Sequence, residues 1–398
     1  MPDSPAAAPV LVGGAPGSFP HSVLAERHPA IIRQVQDAFP YGPDIRRALD
    51  ALLDNCTGGT IEPLPGDAPD LAHWQAWGLA EHTGRTWFEV PWLFAESYFY
   101  RLLLEAVGWF TPGPWQGIDP FRPSKLAELH SAETDEELAA LDALDDLPPD
   151  DRDRALLHGS LWGNRADLGF RLSAEGGADR HEETSAPPLL ADDSDTLWAL
   201  LPPGGGASLC LVADNAGREL VPDLLLIAHL LATGRVTRAV LHLKPHPYFV
   251  SDATTADLLD ALRRLTDAPG EAARGHGRRL WEALDDDTLT VRAHPFSAGP
   301  LPYDAMPADL RAEFARHTLT VLKGDLNYRR LVGDRLWPPT TPFADVTAHF
   351  PGPVAALRTL KSDVITGLDA RTEAGLTAAE GQRWRTSGTH AVIQVRGK

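Results

Sequence analysis

The sequence is poor in cysteine: Cys56 and Cys210 are the only two among 398 residues. A pair so far apart does not make a metal knuckle, and so few thiols point to a reducing, cytoplasmic setting rather than a disulfide framework. Positive charge is also in deficit, with 36 Lys and Arg against 55 Asp and Glu and a formal net charge of −19. That balance argues against nucleic acid, because a phosphate backbone demands a basic surface. No apolar run approaches the roughly 20 residues of a membrane span. Residues 1–19, rich in Pro, Ala and Gly and without a basic start, lack a signal-peptide core and read as a flexible leader. Familiar motifs are missing too. There is no nucleophile elbow, no Walker-type loop and no glycine-rich nicotinamide fingerprint, and the Gly204–Gly206 triplet precedes a strand instead of joining strand to helix. His242 and His246 flank Pro245 in a loop, which is not one helical face, so they do not form a zinc pair. No obligate protein partner is evident.

What the chain does contain changes character midway. Ile45–Leu53 and Trp92–Val107 carry apolar residues at three- and four-residue spacing, the mark of helices with a buried face. Seven tryptophans lie from Trp74 to Trp162, and at helical spacing they suit a packed core better than a ligand box. Residues 20–170 are therefore expected to form a helical N-terminal region. The polar stretch Arg171–Asp193, with Gly176, Gly177, Pro187 and Pro188, marks a linker or insert over 171–200. Residues 201–398 then read as an α/β domain. Ser208–Ala213 is an almost wholly apolar run bounded by glycines and by Asp214-Asn215, as a buried strand would be. Glu219–Thr233 follows as a helix stopped by Gly234. Arg238–Leu243, Thr288–Arg292, Thr318–Leu322 and Val354–Thr359 are further strands, with a helix over Thr255–Leu265. Alternating strands and helices imply a mostly parallel sheet with right-handed crossovers.

Ligands of open parallel sheets bind beyond the carboxyl ends of the strands. Three polar clusters fall there: Asp214-Asn215, Asp252, and Lys323–Arg329, with Arg358 and Lys361 at the end of the last strand. Each has an ordinary explanation. Asp214-Asn215 and Asp252 would both suit helix caps, and Gly324–Tyr328 would suit an Asx-bonded turn. Taken together, Asp214, Asn215 and Asp252 offer hard oxygen donors and no thiolate, which favours magnesium or manganese over zinc. Arg329 and Lys361 supply cations where a phosphate would sit.

The stretches Asp214–Glu219, Phe249–Asp252, Lys323–Arg330 and Arg358–Lys361, with Trp92–Tyr98 and Ser160–Leu168 in the first half, resemble the damage-control phosphatase family in its acidic-residue-methyltransferase-like branch. The resemblance runs from about Pro20 to Val395. It implies a Rossmann-like α/β/α sandwich with a mostly parallel sheet, preceded by a helical region. It further implies a divalent metal (manganese, magnesium, cobalt or nickel) on Asp214, Asn215 and Asp252, the expected catalytic set. Substrate contacts are implied from Glu219, from Asp325, Leu326, Asn327, Tyr328 and Arg329, and from Lys361. The implied activity is metal-dependent hydrolysis of small phosphorylated metabolites such as fructose phosphates. Two competitors are S-adenosylmethionine-dependent methylation of protein carboxylates and metabolite binding without catalysis. Against the first, Gly217 is the only glycine in the loop after the first strand. Against the second, a mere binder has no need of an open metal position beside cations. The chain departs from the family pattern at Arg218, where an apolar or aromatic residue is expected, and at Ser297, where Trp is common.

Overall fold

The computed structural model describes residues 8–163 and 189–397. Its centre is a sheet of seven strands: β1 (Leu189–Asp192), β2 (Ala207–Val212), β3 (Val236–Leu243), β4 (Leu289–Ala293), β5 (Leu319–Lys323), β6 (Val354–Thr359) and β7 (Ala391–Arg396). Their spatial order is β1-β7-β6-β5-β2-β3-β4. All neighbours are parallel except β6 and β7. Successive side chains of a strand face opposite ways. Leu209 and Leu211 of β2 therefore enter one core while Cys210 and Val212 enter another. Burial on both faces is why β2 reads as an unbroken apolar run.

Helices cover both faces. Helices α1 (His28–Ala38), α2 (Pro43–Gly58) and α3 (Trp92–Ala106) pack on one side. On the other lie α5 (Pro149–Trp162), α6 (Leu220–Ala232), α7 (Thr255–Thr266) and α8 (Glu271–Asp285), while α4 (Arg122–Leu129) bridges towards α7 and α9 (Gly324–Val332) follows β5. The result is a three-layer α/β/α sandwich whose helical N-terminal region contributes to both outer layers. Helix α3 is apolar nearly all round and is correspondingly buried, from Trp92 through Arg101 on every face. Among the described residues no helix is long and apolar enough to cross a membrane.

Two sequence expectations need correction. Residues 8–18, expected as a flexible leader, are tied down: Leu11 N–H donates to Asp334 O at 3.1 Å, and Trp92 N–H donates to Leu11 O at 2.8 Å. Short apolar residues in a Gly- and Pro-rich stretch gave no periodic signal for this pairing. The range 171–200, expected as a linker, contains β1 and a helix over Ser194–Leu200. Strand β1 is a four-residue, half-buried edge strand, too short and too mixed to announce itself. Strand β7, antiparallel to β6, also went unread.

Strand β2 is the pivot. The chain leaves it for β3 on one side, and β5 arrives on the other. Such a reversal opens a crevice at the carboxyl ends of the strands.

Candidate metal and phosphate site

At that crevice the chain leaves β2 through Ala213 into Asp214-Asn215, and leaves β3 into Lys244 and a loop ending at Asp252. Backbone pairing brings these ends together. Ala253 N–H donates to Asp214 O at 2.8 Å, Ala216 N–H donates to Ser251 O at 2.7 Å, and Asn215 faces Asp252 as an isolated antiparallel bridge. Neither aspartate is a helix cap. Glu219 precedes α6, and Thr254 begins α7 with a capping box closed by Asp257. The Asn215 carboxamide donates to Asp214 Oδ2 at 3.2 Å and to Glu219 Oε2 at 2.9 Å, and its oxygen accepts from Ser251 Oγ at 2.6 Å. That oxygen keeps a second lone pair for another partner.

The two carboxylates are buried, with 9% of Asp214 and 3% of Asp252 exposed. Asp252 Oδ2 has no hydrogen-bond partner among the described residues, although Lys244 Nζ stands 3.3 Å away as an ion pair. Lys244 also donates to Ser297 O at 3.0 Å. Burial pushes the Asp214 carboxyl well above the usual range, and the charges of Asp252 and Glu219 push it further. Burial raises Asp252 as well, against the opposing pull of Lys244. Burial lowers the Lys244 ammonium despite its attraction to Asp252. Two desolvated carboxylates facing the single buried ammonium of Lys244 are costly unless a further cation joins them. Asp214, Asn215 and Asp252 thus fit a hard divalent ion by donor chemistry. Among the described residues no group of three or more His, Cys, Asp and Glu is placed to hold a metal ion, and beside the two carboxylates stands the carboxamide oxygen of Asn215.

Gly324, expected in the sequence only as part of a turn, closes the crevice from the β5 side. It sits at φ +80°, and a Cβ there would stand 1.8 Å from Asp214 Oδ2. Only glycine permits that approach. Lys244 is a further site residue absent from the sequence expectations; its place directly after a strand, in the loop leading to Asp252, is the signal the sequence offers.

Of the expected substrate contacts, the structure gathers Glu219, Asp325 and Lys361. Lys361 Nζ lies 3.6 Å from Glu219 Oε1 with its side chain 48% exposed, and its backbone N–H donates to Asp325 Oδ1 at 3.2 Å. Burial would lower the Lys361 ammonium, but Glu219, Asp214 and Asp325 hold it above the ordinary value. Asp325 also accepts from Arg358 Nε at 2.8 Å and Ser362 Oγ at 3.1 Å. Burial would raise its carboxyl, yet Arg358, then Arg329, bring it below the usual range.

The winding of α9 carries the other four away. Leu326 packs with Leu93, Tyr248 and Ala298. Asn327 is engaged in the scaffold, donating to Ala213 O at 3.1 Å and Lys323 O at 2.8 Å and accepting from Tyr303 Oη at 3.2 Å. Tyr328 Oη bonds Gln394 and Thr366, each at 3.0 Å. Arg329 is bound to Glu96 and Asp334, both at 2.7 Å, with its guanidinium 3.5 Å from the Trp92 ring centre. Both departures from the family pattern lie outside the donor set. Arg218 pairs with Glu137, and Ser297 contributes its carbonyl to Lys244 and Arg330. The stretch Ser160–Leu168 leaves the described residues after Gly163.

Fold and site define a mostly parallel α/β protein with two buried carboxylates gathered at its topological switch point. Comparison with known proteins makes the class specific. The sequence model of the damage-control phosphatase ARMT1-like domain matches residues 23–376, and the chain belongs to that family. Relatives named "Damage-control phosphatase ARMT1" include one from Homo sapiens, 31% identical over 439 residues covering 97% of this chain and 98% of that protein. The Danio rerio relative is 29% identical over 426 residues, covering 95% and 94%. A DUF89 family protein from Pyrococcus horikoshii, solved by crystallography, aligns over 93% of this chain and 96% of its own with a TM-score of 0.48 and 16% identity.

Proposed function

We propose that this protein is a divalent-metal-dependent phosphatase that hydrolyses small phosphorylated metabolites, with fructose phosphates as the first candidates. The observation that carries the reading is the pair of buried carboxylates at the switch point, Asp214 and Asp252, one of them with an oxygen that accepts no hydrogen bond among the described residues. Family membership supports the phosphatase class. The donor set Asp214, Asn215 and Asp252 would hold manganese, magnesium, cobalt or nickel. A bound metal would supply charge neutralisation at a phosphate oxygen and a template for its orientation.

The chain's own residues do the rest. Lys361, half-exposed beside Glu219, meets the phosphate as a movable cation. Glu219 and Asp325 are placed to accept hydrogen bonds from sugar hydroxyls, and a buried polar site of that kind rejects analogues that lack the hydroxyl. Asn215, linking Asp214 to Glu219, ties donor set and substrate side together. The free, buried thiols of Cys56 and Cys210 suit a reducing compartment, so a cytoplasmic location belongs to the proposal.

The test is phosphate release from a panel of sugar phosphates by chelator-stripped protein resupplied with each metal. Metal-dependent release that disappears in Asp214→Ala and in Asp252→Ala, with cooperative unfolding retained, supports the reading. Full activity in both variants, or no release with any metal, overturns it.

A further inference from the structure

The loop that carries Asp252 is gripped by a residue from outside the α/β domain. Lys125, on α4 of the helical N-terminal region, is only 5% exposed. Its ammonium has three protons and uses each: to Asp252 O at 2.9 Å, to Asp257 Oδ2 at 3.0 Å and to Asp119 Oδ2 at 2.9 Å. Asp257 in turn accepts from Thr254 N–H at 2.9 Å and Thr254 Oγ1 at 2.8 Å, closing the cap of α7 two residues beyond Asp252. Asp252 is therefore held on its own carbonyl and, through Asp257, by the turn that follows it.

The same loop is held at two further points by α3. Ser97 Oγ lies 2.6 Å from Tyr248 Oη, and the Tyr100 ring stacks on Phe249 with centroids 4.8 Å apart. Phe249 itself stands at φ +49°, a left-handed conformation that a bulky side chain adopts only when its surroundings enforce it. A strained loop would relax if its supports were removed, and Asp252 would move with it.

We propose that Lys125 is a positioning residue for the candidate metal site: through the Asp252 carbonyl and Asp257 it fixes Asp252 opposite Asp214, so the helical N-terminal region sets the cation affinity of a site it does not line. This rests on the reading of Asp214, Asn215 and Asp252 as metal ligands. Outer partners that orient a ligand change metal affinity by about 10–100-fold when lost. A general destabilisation of the same buried cluster would not do so.

The experiment measures manganese binding directly, by calorimetry and by electron paramagnetic resonance of the free ion, on the full chain. Lys125→Met keeps the aliphatic stem and removes the three donors. Asp119→Ala disturbs the same ion cluster and leaves Lys125 facing Asp257 and the Asp252 carbonyl. Lys125→Met is expected to bind manganese about 10–100-fold more weakly, and its phosphate release to return at high manganese. Asp119→Ala is expected to stay within about threefold of wild type, well below that outer-partner effect. Should Lys125→Met not fold, Lys125→Arg keeps the charge while its planar fork cannot reproduce the three-point donor set, and a several-fold weaker manganese affinity is expected. Equal affinity in wild type and the folded Lys125 variant, or equal loss in Asp119→Ala, overturns the proposal. Failure of the wild type to bind manganese, magnesium, cobalt or nickel would instead overturn the metal reading beneath it.

Discussion

The sharpest test of the site geometry is Gly324→Ala. A methyl group at this position would stand 1.8 Å from Asp214 Oδ2, 2.1 Å from its Cγ and 2.7 Å from its Cβ. Real contacts of that kind begin near 3.0 Å, so the carboxylate must retreat by more than about 1 Å. The contacting atoms include the Asp214 Cβ, so a simple rotation of the carboxylate does not clear the clash. The positive φ adds a backbone penalty of roughly 1–2 kcal/mol for a residue with a side chain. Misplacement of a reacting group by about 1 Å costs on the order of 100-fold in rate.

The backbone penalty can be separated from the displacement of Asp214. Gly333 closes α9 at φ +88°, and the nearest neighbour of a Cβ there is the flexible Arg335 side chain at 3.5 Å. Gly333→Ala should thus lose about 1–2 kcal/mol in urea unfolding and keep its metal-dependent phosphate release. Gly324→Ala should lose a similar or somewhat larger amount of stability and about 100-fold in turnover, with manganese bound more weakly. Both variants would be assayed for phosphate release under saturating metal, alongside equilibrium unfolding. Wild-type turnover in Gly324→Ala, or an equal loss of turnover in Gly333→Ala, would refute the placement of Asp214 against Gly324.

Three further outcomes are expected. Burial holds the His28 imidazole at about 3 against 6.5 for the free group, with both ring nitrogens unpartnered and the ring stacked 3.7 Å from Phe99. The unfolded chain alone binds that proton between those values, so this contribution is complete above pH 6.5 and falls by about 1.4 kcal/mol per unit towards pH 3; His28→Phe should flatten that acid limb in urea melts, and an unchanged slope would count against it. Lys361→Met should raise KM for a sugar phosphate roughly tenfold or more with little loss of stability, and an unaltered KM would remove Lys361 from phosphate recognition. Arg329→Met leaves Glu96 and Asp334 buried without their cation and should cost about 3–5 kcal/mol in unfolding experiments, while the folded fraction retains substrate affinity; a selective KM effect without destabilisation would instead place Arg329 at the substrate.

How much was legible depended on which physical signal each part leaves in sequence. Strands buried on both faces are apolar runs, so β2, β5 and β6 stand out, as does the buried second half of β3, and their polar ends follow. Edge strand β1 and the pinned residues 8–18 are stabilised by backbone pairing with distant segments, which writes no local period. The gathering of Asp214, Asn215 and Asp252 was visible because each falls at a strand end or in the loop beyond it. The separation of Asp325 from Arg329 was not, because it depends on where helix α9 begins. Once Gly324 opens the helix, successive residues turn about the axis, so Asp325 faces Arg358 and Lys361 while Asn327 and Arg329 face the interior. Gly324 itself, read as part of a turn, is required by contact with a residue 110 positions earlier, Asp214.

The buried cations around the site are already paired and do not by themselves offer charge to a phosphate. Lys125, Lys244, Lys323, Arg329 and Arg358 are all buried and each is matched to a carboxylate, Lys244 to Asp252 and Arg358 to Asp325 of the site itself and the other three to carboxylates of the scaffold. Lys323 Nζ, for example, lies 3.0 Å from Asp223 and ties β5 to α6, and Asp223 also accepts from Ser160 Oγ of α5 at 2.6 Å. These pairs hold the crevice in shape and have little charge to spare. Within it, Asp214, Asp252 and Glu219 face Lys244 and the half-exposed Lys361, an excess of negative charge in a desolvated place. Such an excess repels a bare phosphate and attracts a divalent cation. Binding the cation would reverse the local sign and leave Lys361 free to turn from Glu219 towards an anion. The expected order is therefore metal first and phosphate second, and phosphate should protect the metal-loaded protein against thermal unfolding but leave the chelated protein unchanged.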